Sequence, residues 1–178
     1  MGAILGRRSI RKYADEPVGD GVVGELLRAA MSAPSAGNEQ PWHFIVIRER
    51  GTMERIQEFH PFARMLLQAP VAILVCGDLS LEKYQGFWVQ DCSAATENML
   101  IAAHALGLGA VWLGIYPIEE RVRGIRSLLG LPEHVVPLSL VSIGCPAEKK
   151  RPADRYDESR IHGERWGGKW IAEPNHVD

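Results

Sequence analysis

The sequence predicts a single-domain α+β protein with a central sheet flanked by helices. Its 178 residues are the length of one ordinary domain. Apolar residues make up 46% of the chain and charged residues 24%, which is the balance of a globular protein. Short β-branched runs alternate with amphipathic stretches. This order predicts both kinds of element but leaves the arrangement of the strands open.

The first half of the chain predicts helices and two strands. Residues 21–35 carry apolar side chains at helical spacing and are stopped by Pro34. Residues 43–49 are mainly β-branched and aromatic, which predicts a strand. Residues 51–68 predict helix in parts. The apolar run 70–78 has the length of a buried central strand.

The longest predicted helix covers residues 91–109, with Asp91 or Ser93 as its N-cap. It is rich in alanine and apolar on more than one face, which predicts burial on most sides, and a subunit interface is one way to achieve it. Three elements follow: a strand over 110–117, an amphipathic helix over 118–132 and a strand over 136–146. Residues 147–178 are too polar to form a core and predict an arm lying on another surface.

Composition excludes several classes of function. The net charge of -2 argues against broad nucleic-acid binding. The three cysteines form no CxxC pair, so neither a disulfide framework nor a zinc site is indicated. Arg7 and Arg8 precede any useful apolar run, so no signal peptide is predicted, and no apolar segment has the length of a membrane span. A cytoplasmic protein is therefore expected, without a nucleic-acid or membrane partner.

The common catalytic motifs are also absent. The sequence contains no GxGxxG, GxxxxGK[ST], HExxH or GxSxG pattern. The six histidines are scattered, and we interpret His43 and His104 as structural. No side chain is nominated as a nucleophile or a general acid. Cys92 lies in a helix expected to be buried, which favours a structural role.

A basic cluster, "RRSIR", lies near the N-terminus. If the segment is extended, Arg7, Ser9 and Arg11 share one face; if it is helical, Arg7 and Arg11 still meet at i,i+4. Forked guanidinium donors with a neighbouring hydroxyl suit a phosphate group. The spacing alone leaves a solvated basic surface as the alternative.

A second polar stretch, "APSAGNEQPW", links a predicted helix to a predicted strand. Ser35, Asn38 and Gln40 carry groups that both donate and accept hydrogen bonds, which suits a ligand with a mixed polar edge. An ordinary turn containing glycine and asparagine is the alternative.

Taken together, the two stretches resemble the nitroreductase family of flavin enzymes. The resemblance runs through most of the chain, over residues 7–13, 33–47, 69–78, 90–114 and 144–152. It implies a nitroreductase-like fold with a central mixed sheet, in an intertwined homodimer with an extended C-terminal arm. It also implies FMN at the subunit interface, touched by both chains, and NADH or NADPH as the reductant. Residues 1–178 then form one FMN-binding domain, with 147–178 packing on the partner.

The resemblance also assigns site residues. The cofactor-binding set is Arg7, Arg8, Ser9, Arg11, Pro34, Ser35, Ala36, Asn38, Gln40, Arg64, Trp112, Leu113, Gly114, Lys149 and Arg151. Arg64 is expected beside the pyrimidine carbonyl, and a backbone N–H in 112–114 is expected to donate to flavin N5. Lys149 and Arg151 resemble a phosphate clamp, although Lys150 between them leaves the register open by one residue.

The function implied is an FMN-dependent NAD(P)H oxidoreductase. In a ping-pong scheme, NAD(P)H would reduce the flavin and leave, and the flavin would then reduce an electron-poor acceptor such as a nitroaromatic or a quinone. Reductive dehalogenation or flavin fragmentation is an alternative within the family. A non-catalytic FMN-binding or redox-sensing module, or a structural dimer with a basic surface, is an alternative from another class.

Overall fold

A computed structural model describes residues 1–170 of the chain. The last part of the predicted C-terminal arm, 171–178, lies outside the described residues. The helices are α1 (Gly2–Gly6), α2 (Asp20–Met31), α3 (Arg50–Phe59), α4 (Trp88–Ala105) and α5 (Glu119–Leu129). The strands are β1 (Trp42–Ile47), β2 (Val71–Asp78), β3 (Gly109–Gly114) and β4 (Val135–Gly144). Short 3₁₀ turns cover Ala36–Asn38, Arg64–Leu67, Leu79–Leu81 and Glu158–Arg160.

The four strands form one sheet in the order β1-β2-β4-β3. All three strand pairs are antiparallel. A mixed sheet was expected, which would also contain parallel pairs. Within residues 1–170 the only parallel pairing is a bridge between Ser9 and Ala110. β2 and β4 lie in the centre, and every residue of β2 is buried, as predicted for the apolar run 70–78.

Helices cover both faces of the sheet, which makes three layers. The alternation of β2 divides its side chains between two cores. Val71, Ile73 and Val75 pack with α2 and α4, whereas Ala72, Leu74 and Cys76 pack with α3 and α5. The fold is therefore α+β with two hydrophobic cores, and β1 and β3 form the edges of its sheet.

The start of α4 corrects a prediction. The helix begins at Trp88, and Phe87 precedes it without a side-chain cap, so neither Asp91 nor Ser93 is the N-cap. The Asp91 carboxylate instead accepts a hydrogen bond from the Ala36 N–H, 3.0 Å away. The predicted burial of the helix is confirmed, because no residue from 91 to 104 is fully exposed.

The N-terminal residues 7–14 form an extended segment, the N-terminal strap, along the outer edge of β3. The Ile10 N–H donates to the Ala110 carbonyl at 3.0 Å. The buried Tyr13 hydroxyl donates to the Ile10 carbonyl at 2.8 Å and accepts from the Ser142 hydroxyl at 2.8 Å. This network holds the basic cluster against the sheet.

We expect Tyr13→Phe to weaken this attachment. The change leaves the Ser142 hydroxyl and the Ile10 carbonyl without a partner, which costs about 1–2 kcal/mol in the free energy of unfolding. Urea unfolding measures the effect, with Tyr156→Phe as the control because Tyr156 is 70% exposed. Equal stabilities of the two variants would contradict the role given to the Tyr13 hydroxyl.

The described part of the C-terminal arm has little regular structure. Pro146 bridges to Tyr13, and the arm then continues with only one 3₁₀ turn up to residue 170. It exposes large apolar side chains, with Trp166 at 91% and Trp170 at 53%. None of the helices within residues 1–170 has both the length and the apolar character needed to cross a membrane.

Candidate functional site

The open edge of β3 forms the centre of the candidate site. Backbone groups along a strand point alternately to its two sides. The Ala110 carbonyl accepts from the strap, so residues 110, 112 and 114 turn their backbone groups away from β4. The Ile115 N–H donates to the Leu138 carbonyl just beyond the end of the strand. Residue 115 therefore faces β4, which agrees with residue 114 facing away from it.

This alternation excludes one of the three backbone donors predicted in 112–114. The Leu113 N–H points towards β4, so it faces away from a ligand at the open edge. The N–H groups of Trp112 and Gly114 point outward. The strap covers the edge at Ala110, and roughly 14 Å of strand separates Ala110 from Gly114. The stretch between them leaves both donors available to a ligand at the edge.

Two adjoining cavities, each of about 410 Å³, open beside this edge. The first, which we call the edge cavity, is lined by Arg11, His60, Phe62, Met65, Trp112, Leu113, Gly114 and Arg121. The second, the basic cavity, is lined by Arg11, Lys12, Arg64, Met65, Gln68, Glu148 and Lys150. Five cationic side chains and one carboxylate line the two together, so both favour an anionic ligand.

The cluster "RRSIR" divides between two sides of the strap. Arg11 lines both cavities, whereas Arg7 forms an ion pair with Glu97 of α4 at 3.2 Å. Arg8 points the other way and donates to the Arg151 carbonyl at 3.0 Å. The segment is extended rather than helical, but Arg7, Ser9 and Arg11 do not line one common cavity. Neither Arg7 nor Ser9 lines the two cavities in this chain.

The C-terminal basic residues differ in the cavities that they line. The Lys150 ammonium donates to the Ser9 carbonyl at 2.6 Å, pairs with Glu148 at 3.4 Å and lines the basic cavity with Arg64. Lys149 lines a separate cavity with Arg8, and Lys150 borders that cavity too. Of these residues only Lys150 also reaches the Arg11 side, and Arg151 contributes a backbone carbonyl to Arg8.

The polar loop 34–40 lies elsewhere in the chain. It precedes β1 at the sheet edge opposite β3, three strand spacings or about 14 Å across the sheet. None of its residues lines the edge cavity or the basic cavity. One chain therefore does not bring the predicted loop residues Pro34, Ser35, Ala36, Asn38 and Gln40 to its own basic cluster.

The loop is nevertheless held in one strained conformation. Asn38 and Gln40 have φ of 56° and 51°, which non-glycine residues rarely adopt. The Ser35 hydroxyl accepts from the Gln40 N–H at 3.0 Å, and the Gln40 amide donates to the Asn38 side chain at 3.0 Å. Strain of this kind is maintained where an exact arrangement of polar groups is used.

Two residues that the sequence did not single out complete the edge cavity. Arg121 donates to the Gly114 carbonyl at 2.8 Å, and His60 Nε2 lies 3.1 Å from the same oxygen. Because a carbonyl only accepts, His60 carries its proton on Nε2. Burial, with a smaller effect of Arg121, lowers the pKa of His60 and favours the neutral ring. Arg121 lies in α5 and His60 follows α3. Because they are distant in sequence, no local sequence pattern predicts that they meet.

The cysteines offer no nucleophile at this site. Cys92 is fully buried, and burial raises the pKa of its thiol. Burial likewise raises the pKa of Cys76 to about 12. The structure accords with the structural role predicted for Cys92.

Comparison with known proteins decides the family. A family model described as the nitroreductase family matches residues 4–63 and 60–145. The chain belongs to the nitroreductase family. The resemblance of its motifs to that family is thereby confirmed.

Relatives of this nitroreductase-family chain align along most of its length. A protein of Methanothermobacter thermautotrophicus, provisionally named NADH dehydrogenase/NAD(P)H nitroreductase, is 57% identical over 92% of this chain and 86% of its own. An FMN reductase [NAD(P)H] of Bacillus subtilis is 29% identical over 90% of this chain and 71% of its own.

Solved structures confirm the nitroreductase fold. An FMN-dependent nitroreductase of Clostridium difficile superposes with a TM-score of 0.85 at 28% identity, covering 92% of this chain and 98% of its own. A provisionally named nitroreductase of Desulfovibrio desulfuricans, solved in complex with FMN, gives 0.80 at 34% identity, covering 92% and 95%.

We expect the buried Asp91 to position the loop. In Asp91→Ala the Ala36 N–H loses its acceptor, which costs about 1–2 kcal/mol in the free energy of unfolding and loosens residues 34–40. In Asp91→Asn an oxygen remains to accept that bond, so the loop stays ordered. Hydrogen exchange at the Ala36 amide distinguishes the two, and equal exchange in both variants would contradict the assignment.

Asp91 also predicts a pH dependence. Burial raises the pKa of its carboxyl above the ordinary 3.8. A raised pKa means that its contribution to stability is present below the unfolded pKa and is lost as the pH rises through the folded pKa. Asp91→Asn should therefore gain stability relative to the natural protein as the pH rises from 4 to 7. Urea unfolding at both pH values tests this, and a stability difference that is the same at pH 4 and pH 7 would contradict it.

Proposed function

We propose that the protein is an FMN-dependent NAD(P)H oxidoreductase that reduces an electron-poor acceptor such as a nitroaromatic or a quinone. The main support is the open edge of β3, where Trp112 and Gly114, with outward N–H groups, line the edge cavity beside the basic cavity. The names of the relatives support both the reductant and the cofactor.

The residues at this edge fit FMN. Its isoalloxazine presents acceptors along one edge, which the backbone donors at Trp112 and Gly114 match. Its phosphate and its pyrimidine carbonyls favour nearby cations, and Arg11, Arg64 and Lys150 supply them. A cavity of about 410 Å³ falls within the range of cofactor sites.

When bound, FMN would accept hydride from NAD(P)H and pass it to the acceptor in two half-reactions. The chain's own residues bind and tune it. One cation a few ångströms from developing negative charge favours that charge by up to about 4 kcal/mol at an effective dielectric of 20, before desolvation costs. Arg64 and Arg11 therefore bias the cofactor towards its reduced form, and no acid–base pair is needed.

The proposal includes a cytoplasmic homodimer in which each site uses both chains. The loop 34–40 is strained and ordered, yet it lies far from the basic cluster of its own chain. A second copy would place that loop over the edge cavity. The exposed Trp166 and Trp170 of the arm offer apolar surface for the same partner.

Mixed dimers test this shared site. One chain carries Arg11→Ala, and the other carries Ser35→Ala with Asn38→Ala. Each homodimer should bind little FMN, whereas the mixed dimer should recover one complete site and about half of the natural flavin content. A mixed dimer with no more flavin than the homodimers would mean that each site belongs to one chain.

Steady-state turnover tests the activity. The holoenzyme should oxidise NADH or NADPH in the presence of a nitroaromatic or a quinone, with parallel double-reciprocal lines. Turnover only with halogenated acceptors, or destruction of the flavin, would indicate the specialised chemistries instead. A bound flavin with no turnover towards any acceptor would indicate a sensor or carrier and overturn the proposal.

A further inference from the structure

Arg121 is a cation of the edge cavity that the FMN assignment leaves unused. It follows β3 in the first turns of α5 and contacts the Gly114 carbonyl. Arg11 lines the same cavity and also the basic cavity, where Arg64 and Lys150 lie. Arg121 does not line the basic cavity, so it is separate from the cluster of cations that suit the FMN phosphate and pyrimidine.

The guanidinium of Arg121 is held in place but has no anionic partner. One nitrogen donates to the Gly114 carbonyl, and the group lies 5.7 Å from the centre of the Phe62 ring. Among residues 1–170 it forms no ion pair with a carboxylate. A guanidinium has five N–H donors in a fixed fork, so most of them remain for a ligand.

Phe62 supplies an apolar surface next to this cation. Its side chain is 70% exposed although it lines the edge cavity. An aromatic platform beside an unpaired guanidinium matches a planar molecule that carries a carboxylate or a phosphate. His60 keeps its neutral ring on the Gly114 carbonyl and adds no competing charge.

We propose that Arg121 and Phe62 form a subsite that recognises an anionic group on the molecule reduced or oxidised at the β3 edge. The inference rests on the proposed function and adds a substrate class to it: ligands bearing a carboxylate or a phosphate bind in preference to neutral ones. Arg121 is a specificity residue, separate from the cations that hold the cofactor.

Equilibrium binding to the holoenzyme tests this without turnover. Isothermal titration measures the Kd of benzoate, its neutral counterpart benzamide, NAD⁺ and NADP⁺ with the natural protein and with Arg121→Gln. We expect the variant to raise the Kd of at least one anion about 10-fold and to leave benzamide unchanged. The matched control is Arg123→Gln, which removes the same charge from an exposed position of α5. Flavin content and melting temperature show that each variant is folded.

The pattern of losses identifies the source of the anion. If Arg121→Gln binds only benzoate more weakly, the anion is the carboxylate of an acceptor. If it binds only NADP⁺ more weakly, the anion is the 2′-phosphate. If it binds both nucleotides more weakly, the anion is the pyrophosphate. Arg121→Lys, which keeps the charge, should restore part of the affinity. The inference is overturned if Arg121→Gln behaves like Arg123→Gln, or if the natural protein binds none of the three anions. Flavin reduction by NADH or NADPH is measured separately in the natural protein. Failure of the proposed function is thereby distinguished from failure of the Arg121 inference.

Discussion

The double variant Arg7→Ala with Arg11→Ala should purify as a folded protein that contains almost no FMN. The Arg11 guanidinium is expected to supply one or two charge-assisted hydrogen bonds, each worth about 1.5–3 kcal/mol, to the phosphate side of the cofactor. Their loss raises the Kd for FMN by about 10–10⁴-fold. Arg11 should account for most of the loss, because it lines both cavities whereas Arg7 is paired with Glu97. Fluorescence titration of the apoprotein with FMN measures the change.

The fold should survive because Arg11 is exposed, Arg7 makes a single ion pair with Glu97, and the strap is held by backbone bonds and by Tyr13. The matched control is Arg48→Ala with Arg55→Ala, which removes two exposed arginines that line neither cavity. The control should keep its full flavin content. Full FMN occupancy in the double variant would contradict this role and would mean that the basic cluster is only a solvated surface.

Gly114→Pro should slow the reduction of the bound cofactor by about 10²-fold while leaving it bound. The Gly114 N–H points away from β4, so proline removes no ladder hydrogen bond and is tolerated at an edge. It does remove one of the two outward N–H groups that we propose as donors to flavin N5, and losses of one such preorganised donor are typically 10²–10³-fold. Stopped-flow absorbance after mixing with NADH or NADPH measures the rate.

Gly114→Ala is the matched control for this change. A Cβ atom at position 114 meets nothing within 4 Å, so alanine fits and keeps the N–H group. It should therefore reduce at nearly the natural rate. If proline and alanine at position 114 gave the same rate, the N–H of Gly114 would not be the donor, and Trp112 would be left as the outward-facing alternative.

The sequence predicted the helices and strands better than it predicted how they are arranged in space. Helical and strand periodicity sufficed for these elements, since burial follows local pattern. The outward direction of Trp112 and Gly114 depends on how β3 pairs with β4 and with the strap. That pairing is a long-range choice, and no local spacing specifies it.

The same reason explains the errors and omissions. Asp91 or Ser93 was expected to cap α4, but the helix begins at Trp88 and the Asp91 carboxylate accepts from the distant Ala36 N–H. Lys150 rather than Lys149 reaches Ser9, since the path of the chain after Pro146 sets which side chain turns inward. His60 and Arg121 meet at Gly114 only after α3 and α5 pack on the sheet.

The most direct test is the visible absorption spectrum of the purified protein, recorded without oxygen before and after addition of NADH or NADPH. We predict the two-band spectrum of a bound flavin and its bleaching by at least one of the two nucleotides. A colourless protein that also fails to bind added FMN would contradict the assignment of the β3 edge as a flavin site.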